Sequence, residues 1–356
     1  MNHEPVNVNG GDGKEGSLPI RYGILGFGLH AAKRLAPAFA QARRSVLAGL
    51  WRRDAAEAAK SARQFHVPHT FATAEELCGS SEIDAVFVAS PDAFHLPHVL
   101  LSLQAGKPVL CEKPLAMNVA EVQSMLAASG RAGRLLGVAQ NFRYNRSVRM
   151  IREWVTAGRV GEIVLGHSQF CYNAEKATRT WIYDARMACG GPIGDVGVHC
   201  IDTLRFILGD EVLAVTAVGV GDAHSGPMES KACLGLEFSR GCIGAATVTT
   251  RSSYRSLVEV VGSEGVILSE NALTVEHPVD VVLRVGGRAV ETREVSNADS
   301  YSMMLDAFSA AILGSGDGSG DFASPGENGL RNQLVLDAAY ASLRAGRRVS
   351  VPPMSA

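Results

Sequence analysis

No sign of charge dominates this chain of 356 residues: 34 Lys and Arg stand against 36 Asp and Glu, a formal net charge of −2. Without a basic excess there is no electrostatic case for nucleic acid or for an anionic membrane surface as a partner. No run of about eighteen apolar residues occurs, so no membrane span is expected. The first nineteen residues, MNHEPVNVNGGDGKEGSLP, lack the apolar stretch of a signal peptide and read as a disordered leader. Seven cysteines, at 78, 111, 171, 189, 200, 233 and 242, are odd in number and form no C-x-x-C. Scattered in this way they suit reduced thiols in a cytoplasmic protein, not a disulfide framework or a zinc site. No internal repeat is evident.

What is present is ordinary globular material. Hydrophobic residues make up 46% and charged ones 20%, and the length exceeds one core, so two domains are expected. Short apolar runs at Ile20–Leu25, Val46–Trp51, Ala85–Ala89, Pro108–Cys111 and Leu135–Ala139 alternate with helical patterns at Ala31–Gln41, Ala55–Phe65, His95–Ala105 and Val119–Arg131. That alternation predicts a doubly wound α/β domain with a parallel sheet over residues 20–140.

The character changes after Asn141. Helices are expected at Ser147–Ala157 and Val198–Leu208, and strands at Val212–Val220, Cys233–Phe238, Cys242–Thr250, Leu257–Val261, Val266–Leu268, Leu273–Val275 and Val279–Val285. Consecutive strands with short turns predict an α+β domain with a large open antiparallel sheet over residues 141–352. So wide a sheet needs its outer face covered, and a homodimer or homotetramer through it is the expected solution. Helices near Ser302–Leu313 and Asn328–Ala345 close the chain, and the Gly/Ser-rich GSGDGSGDFASPGE between them reads as a mobile linker.

The chemistry begins at Gly26-Phe27-Gly28-Leu29-His30-Ala31, a G-x-G-x-x-A that follows a strand and opens a helix. Gly26 permits the turn, Gly28 lets backbone approach a pyrophosphate, and the helix N-terminus faces the anion. The plain alternative is a βα turn that binds nothing. The second strand runs into Arg52 and Arg53 where an NAD-binding fold would place an acid on the ribose 2′-hydroxyl. Guanidinium forks suit a 2′-phosphate, so NADP(H) is favoured over NAD(H), although Asp54 would serve NAD in a shifted register. Ser90, Pro91 and His95 follow the next strand, at the carboxyl edge where a ligand enters.

Cys111-Glu112-Lys113-Pro114 ends the strand after that. A lysine there projects toward the nicotinamide end of the crevice, where its charge would favour an alkoxide; otherwise it is a surface lysine paired with Glu112. Pro114 bars a helix start and admits a cis peptide bond. Much later comes Gly190-Gly191-Pro192-Ile193-Gly194-Asp195-Val196-Gly197-Val198-His199. Asp195 and His199, four apart, share a face if a helix starts there, and an aspartate that orients a histidine is an acid/base pair. The glycines would let backbone approach a ligand closely. The alternative is a core histidine satisfied by Asp195 or Asp202. Asp202 itself reads as structural. No third and fourth ligand at suggestive spacing supports a metal.

Taken in order, GFGLHA, IDAVFVASPDAFHLPHVLLSLQAGKPVLCEKPLAM, GGPIGDVGVHCIDTLRFILG and AAYASLRAGRRVSV resemble the glucose–fructose oxidoreductase / inositol dehydrogenase / rhizopine-catabolism (Gfo/Idh/MocA) family from residue 20 to 352. The resemblance implies an N-terminal Rossmann domain, a second domain whose sheet mediates dimerisation, and a carbohydrate-like substrate. It implies Lys113, Asp195 and His199 as the catalytic group, with His199 the acid/base, Glu112 beside the nicotinamide ribose and Asn141 beside the carboxamide. The chain departs from the family at Ala31, in place of the third glycine, and at Arg52, in place of the frequent acid. Arg143, Arg179, Trp181, Tyr183 and Arg186 offer stacking and hydrogen bonds on the substrate side, with Arg143, Trp181 and Tyr183 expected to touch the substrate.

The expected activity is hydride transfer between NAD(P) and a sugar, cyclitol or related polyol. Two alternatives differ in kind: a redox-assisted glycosidase that keeps its cofactor, and a non-catalytic cofactor sensor. A complete Lys113/Asp195/His199 set argues against the sensor, which needs no proton transfer.

Overall fold

Residues 20–138 supply six short strands that hydrogen-bond in parallel: β1 (Ile20–Leu25), β2 (Ser45–Trp51), β3 (His69–Thr70), β4 (Ala85–Val88), β5 (Val109–Cys111) and β6 (Leu136–Val138). The computed structural model describes residues 18–175, 179–314 and 322–354. Most of the expected leader and the middle of the expected linker lie outside them. The order β3-β2-β1-β4-β5-β6 reverses beside β1, which opens a crevice at the carboxyl ends of β1 and β4. Helices α1 (Ala36–Gln41), α2 (Ala55–Phe65), α3 (Ala74–Gly79), α4 (His95–Gln104) and α5 (Val119–Ala132) cover the sheet. Their starts are chemically marked: Asp54, Thr73 and Asn118 each accept the N–H three residues on. Asp54 thereby caps α2 through one of its two carboxylate oxygens.

After α6 (Arg146–Thr156), residues 163–295 build a second sheet around α7 (Val198–Leu208). Its strands are β7 (Ile163–Asn173), β8 (Val212–Val220), β9 (Lys231–Phe238), β10 (Ile243–Thr249), β11 (Arg251–Gly262), β12 (Val266–Glu270), β13 (Val279–Val285) and β14 (Arg288–Val295), with β15 (Val349–Ser350) at one edge. The nine strands run β14-β13-β12-β11-β7-β10-β9-β8-β15. The sheet is mixed rather than wholly antiparallel, because β7 lies parallel to β10 at its centre. Leu273–Val275, expected as a strand, is instead a turn after β12.

The last two helices tie the sheets together. α8 (Ser300–Ile312) returns to the first sheet although its sequence follows the second. Asp306 accepts the backbone N–H groups of Arg43 and Arg44, and Ser309 bonds Tyr22 and Ser45. α9 (Gly326–Ala345) divides its apolar residues between two cores. Leu330 and Leu334 join the core of the first sheet, while Val335, Leu336 and Ala339 join that of the second. Burying a leucine is worth roughly 1.5–3 kcal/mol, so a helix anchored on both sides fixes one sheet against the other.

Candidate active site

A cavity of about 620 Å³ opens between the carboxyl edge of the first sheet and the inner face of the second. From the first side come Leu29, His30, Lys33, Arg34, Ser90, Glu112, Lys113 and Asn141. From the second come Phe170, Tyr172, Trp181, Asp195, His199, Tyr254 and the turn Leu273–His277.

The glycine loop is shaped by the protein at one glycine and left open at the other. Gly26 has φ +87°, and a Cβ there would sit 2.6 Å from the backbone of Ser90. Around Gly28 a Cβ would meet nothing nearer than the Gly26 carbonyl oxygen at 3.9 Å. That open backbone fits a pyrophosphate. The N–H groups of Gly26 and Phe27 are both spent on the Trp51 carbonyl, and the Phe27 ring is buried against Phe65. Phe27, expected to contact the cofactor, is therefore a core residue. Leu29 and His30 are what the loop presents to the cavity.

His95 also lines the cavity, as a buried residue whose ring nitrogens lie 2.9 Å from the carbonyls of Pro114 and Ser90. Ser90 faces the cavity and Pro91 flanks it. Arg52 and Arg53 stand just beyond β2, outside the cavity lining; the nearest acid to Arg52 is Glu57, at 3.9 Å.

At the other end of the crevice Glu112 holds His30 at 2.9 Å and the Lys113 N–H at 3.2 Å. Burial pushes the Glu112 carboxyl up, but His30 and Lys113 outweigh it and hold it below the usual carboxylate range. The Lys113–Pro114 bond is cis. Asn141 begins a turn after β6, and its amide nitrogen is buried with no partner among the described residues. A buried amide donor in that position matches the need of a carboxamide.

Lys113 and Asp195 meet across the cavity. The Lys113 ammonium donates to the Asp195 backbone carbonyl at 2.8 Å and to its Oδ1 at 3.4 Å. An ammonium has three N–H groups, so one remains for a substrate oxygen. The other carboxylate oxygen of Asp195 accepts the Tyr172 hydroxyl and the Arg179 guanidinium, the latter at 3.0 Å. Burial raises the Asp195 carboxyl, yet Arg179, Lys113 and the Tyr172 hydrogen bond together hold it far below the usual range.

Asp195 does not orient His199. A turn of π-helix over Ile193–Gly197 precedes α7, and no hydrogen bond joins the two side chains. His199 packs on Phe142, with ring centroids 4.4 Å apart, and on Phe170 at 6.0 Å. Its Nδ1 is buried without a partner. Desolvation, assisted by the Lys113 charge, pushes the imidazole down to about 3, so it is neutral at physiological pH.

Several expected substrate contacts are elsewhere. Arg143 is consumed by Asp202 through two bonds of 2.8 Å, and also donates to Ala323 and Asn328. The Tyr183 hydroxyl donates to the Ala174 carbonyl, outside the cavity lining. Arg186 is exposed and paired with Asp184. Trp181 does line the cavity. The glycines of the Asp195 segment serve protein contacts: a Cβ at Gly190 would lie 1.8 Å from the Tyr340 hydroxyl, and one at Gly191 would lie 2.1 Å from the Glu229 carbonyl. Phe170, Tyr172 and Tyr254 were not foreseen. The first two occupy alternate positions on β7, which puts them on its inner face, with Phe170 against His199. Among the described residues no cluster of three or more His, Cys, Asp or Glu is placed to hold a metal ion, and no helix is long and apolar enough to cross a membrane.

Comparison with known proteins agrees with this geometry. Residues 20–140 match the family described as an oxidoreductase family with an NAD-binding Rossmann fold, and residues 148–268 match a C-terminal domain of the same family. The chain is 30% identical over 284 residues to a 1,5-anhydro-D-fructose reductase of Ensifer adhaerens, covering 78% of this chain and 82% of that one. It is 26% identical over 352 residues to an inositol 2-dehydrogenase of Rhizobium meliloti, covering 94% and 100%. An aldose-aldose oxidoreductase of Caulobacter crescentus superposes with a TM-score of 0.86 at 26% identity, over 93% of this chain and 99% of that one. With both domains matched in order and the lysine, aspartate and histidine gathered at one cavity, the chain belongs to the Gfo/Idh/MocA family of NAD(P)-dependent oxidoreductases.

Proposed function

We propose that this oxidoreductase interconverts an alcohol and a carbonyl on a sugar, cyclitol or related polyol, with residues 20–140 holding the dinucleotide and residues 141–352 the substrate. The observation that carries the reading is the Lys113 ammonium, fixed by the Asp195 backbone and carboxylate with one donor left for the cavity. When bound, the nicotinamide would supply or accept the hydride. Gly28, Leu29 and His30 would hold its pyrophosphate, and Glu112 and Asn141 its nicotinamide end.

The third Lys113 N–H would meet the reacting oxygen and stabilise an alkoxide as its charge develops. Asp195, with Tyr172 and Arg179 behind it, keeps the lysine in place. His199 would present its outer nitrogen to the same oxygen as a neutral hydrogen-bond partner. With His199 buried and neutral, Lys113 would be the group that moves the proton: as the ammonium it would give one to the oxygen in carbonyl reduction, and as the neutral amine it would take one from the hydroxyl in oxidation. Phe170, Trp181 and Tyr254 offer apolar surface to a ring face.

NADP(H) is favoured over NAD(H), since Arg52 and Arg53 stand past β2 without a close acidic partner. Leu165, Val218, Val220 and Ile243 leave the outer face of the second sheet partly apolar, which suits a homodimer or homotetramer through it. All seven thiols are free, as in a cytoplasmic protein. Incubation with a panel of aldoses, inositols and keto-sugars while following nicotinamide absorbance tests the reading. Sugar cleavage with no net cofactor change would point to a redox-assisted glycosidase. Dinucleotide binding with no chemistry on any compound would overturn the enzymatic reading.

A further inference from the structure

Two side chains outside the cavity grip the backbone that carries Asp195. Glu229 lies just before β9 and is buried. One of its carboxylate oxygens accepts the Ile193 N–H at 2.9 Å, and the other accepts the Gly191 N–H at 3.3 Å. Tyr340, on α9, donates its hydroxyl to Glu229 at 3.0 Å and accepts the Gly194 N–H at 3.1 Å. Three N–H groups at a helix start, which lack partners within the helix, are thus satisfied by one carboxylate–phenol pair.

The connection to the chemistry is short. The Gly191 carbonyl accepts the Asp195 N–H at 2.9 Å, and the Asp195 carbonyl accepts Lys113 at 2.8 Å. Glu229 therefore holds the backbone two residues before Asp195 and is two hydrogen bonds, through Gly191, from its N–H. Tyr340 belongs to the helix that packs on both cores, so it registers this segment against the sheet that carries Lys113. The sequence accommodates the grip at a cost in freedom. Any side chain at Gly190 would collide with the Tyr340 hydroxyl, and any at Gly191 with the Glu229 backbone.

We propose that Glu229 and Tyr340 are positioning residues for the oxidoreduction: a clamp that sets the Asp195 carbonyl, and through it the Lys113 ammonium, against the reacting oxygen. The proposal rests on the reading of the cavity given above. It is distinct from a general stabilising role, because the clamp acts on the placement of a proton-transfer group and leaves the glycine loop and the cofactor contacts alone.

The test compares the full-length protein with Tyr340→Phe, which keeps the ring, and Glu229→Gln, which keeps one acceptor but turns an N–H against Gly191 or Ile193. Turnover, KM, dinucleotide Kd, thermal midpoint and amide exchange over residues 191–195 are measured together. A displacement of about 1 Å at a reacting centre costs up to about a hundredfold. Turnover per folded molecule should fall about tenfold for Tyr340→Phe and about ten- to hundredfold for Glu229→Gln, with Kd and KM within about twofold. Amide exchange at Ile193 and Gly194 should accelerate about tenfold or more, the scale of one lost hydrogen bond. Folded variants with unchanged turnover, or a turnover loss matched by the loss of folded protein, would overturn the clamp. If the unmodified protein proved inert on every sugar, the reading of the cavity would fall. Unchanged exchange at Ile193 and Gly194 in the variants would overturn the clamp separately, whatever the activity.

Discussion

Asp195 and Asp202 follow one another along the same helical segment, Asp202 buried and Asp195 half-buried, and both face an arginine, yet they belong to different kinds of site. Asp202 accepts Arg143 twice, Asn328 at 2.9 Å and Asn332 at 2.8 Å, and its side chain is 3% exposed. Its arginines are spent as well: Arg143 also serves Asn328 and Ala323, and Arg205 serves Glu211, Asn328 and Asn332. Asp195 has the same low carboxyl but lines the cavity, and its partner Lys113 keeps a donor in reserve. Both carboxyls are held down by the same physics, outweighing burial with arginine charge. A perturbed buried carboxylate therefore does not by itself mark a catalytic group. What separates the two is whether the partners have unspent donors that face open space.

The largest effect that would break this contrast is on turnover. Lys113→Ala should lower kcat by about three orders of magnitude, by removing both the proton-transfer group and the charge that steadies the alkoxide. His199→Ala should cost about one to two orders less than that, as befits loss of a neutral hydrogen-bond partner. Steady-state kinetics at saturating cofactor decide it, and a His199→Ala loss equal to that of Lys113→Ala would restore the histidine as the principal acid/base. Asp202→Ala should do the reverse. It strands Arg143 and Arg205 in the interior, at a cost of about 3–5 kcal/mol of stability, while the protein that still folds turns over normally. Denaturant unfolding beside kinetics would show it, and a thermally normal but inactive Asp202→Ala would dissolve the distinction.

The same contrast explains what could be read from the chain. The parallel sheet was legible because β4 and β5 are apolar runs buried on both faces, β1 and β2 are mostly apolar, and helical patterns separate all four. β7 was not, although it is the hub of the second sheet. Its inward positions include Gly166 and Ser168, kept small because α7 lies so close that a Cβ at Gly166 would sit 3.2 Å from Leu204. Small inward residues erase the apolar alternation. Lys113, Asp195 and His199 stood out because strand and helix ends carry them in short motifs. Tyr172 and Arg179 join Asp195 through the fold alone, and Arg143 looked available because nothing local reveals Asp202, 59 positions later. The glycines at 190 and 191 were read as room for a ligand, whereas Tyr340 and Glu229 fill that room.

A further effect appears in the pH dependence of stability. His199 is held neutral down to about 3 in the fold, whereas an unfolded histidine titrates near 6.5. Between those values the unfolded chain takes up a proton that the folded one refuses. Stability from this residue is thus complete above about pH 6.5 and declines as pH falls, by up to about 1.4 kcal/mol per unit. His98, depressed to about 4 by burial, adds in the same direction. The lowered carboxyls of Asp195 and Asp202 act only below the ordinary carboxylate range, whereas the raised carboxyls of Glu229 and Asp92 oppose the histidines as pH falls, so the contribution of His199 is read from the difference between variants. His199→Phe should flatten the fall in urea midpoint between about pH 6.5 and about 4.5, and Asp195→Asn should not. An unaltered slope in His199→Phe would mean the imidazole is not buried neutral.

The smallest predicted effect carries the distinction to the far end of the crevice. Arg52 resembles Lys113 more than Arg143: it stands at the end of a strand, and Glu57 approaches it only to 3.9 Å. A guanidinium with unspent donors beside the expected ribose is suited to a 2′-phosphate, which accepts charge-assisted hydrogen bonds that a hydroxyl cannot match. Asp54 caps α2 through the Glu57 N–H at 3.0 Å, which engages one of its two carboxylate oxygens. Arg52→Asp would remove the attractive group and add a repulsive one, and both changes penalise NADP(H). The ratio of Kd values should move toward NAD(H) by about tenfold, equivalent to the roughly 1.4 kcal/mol of one charge-assisted bond near a surface. Calorimetric titration of each cofactor into both proteins measures it. Equal affinities in the unmodified protein, or a ratio untouched by the substitution, would leave Arg52 an unspent donor with nothing to bind, and availability alone would no longer identify a working cation.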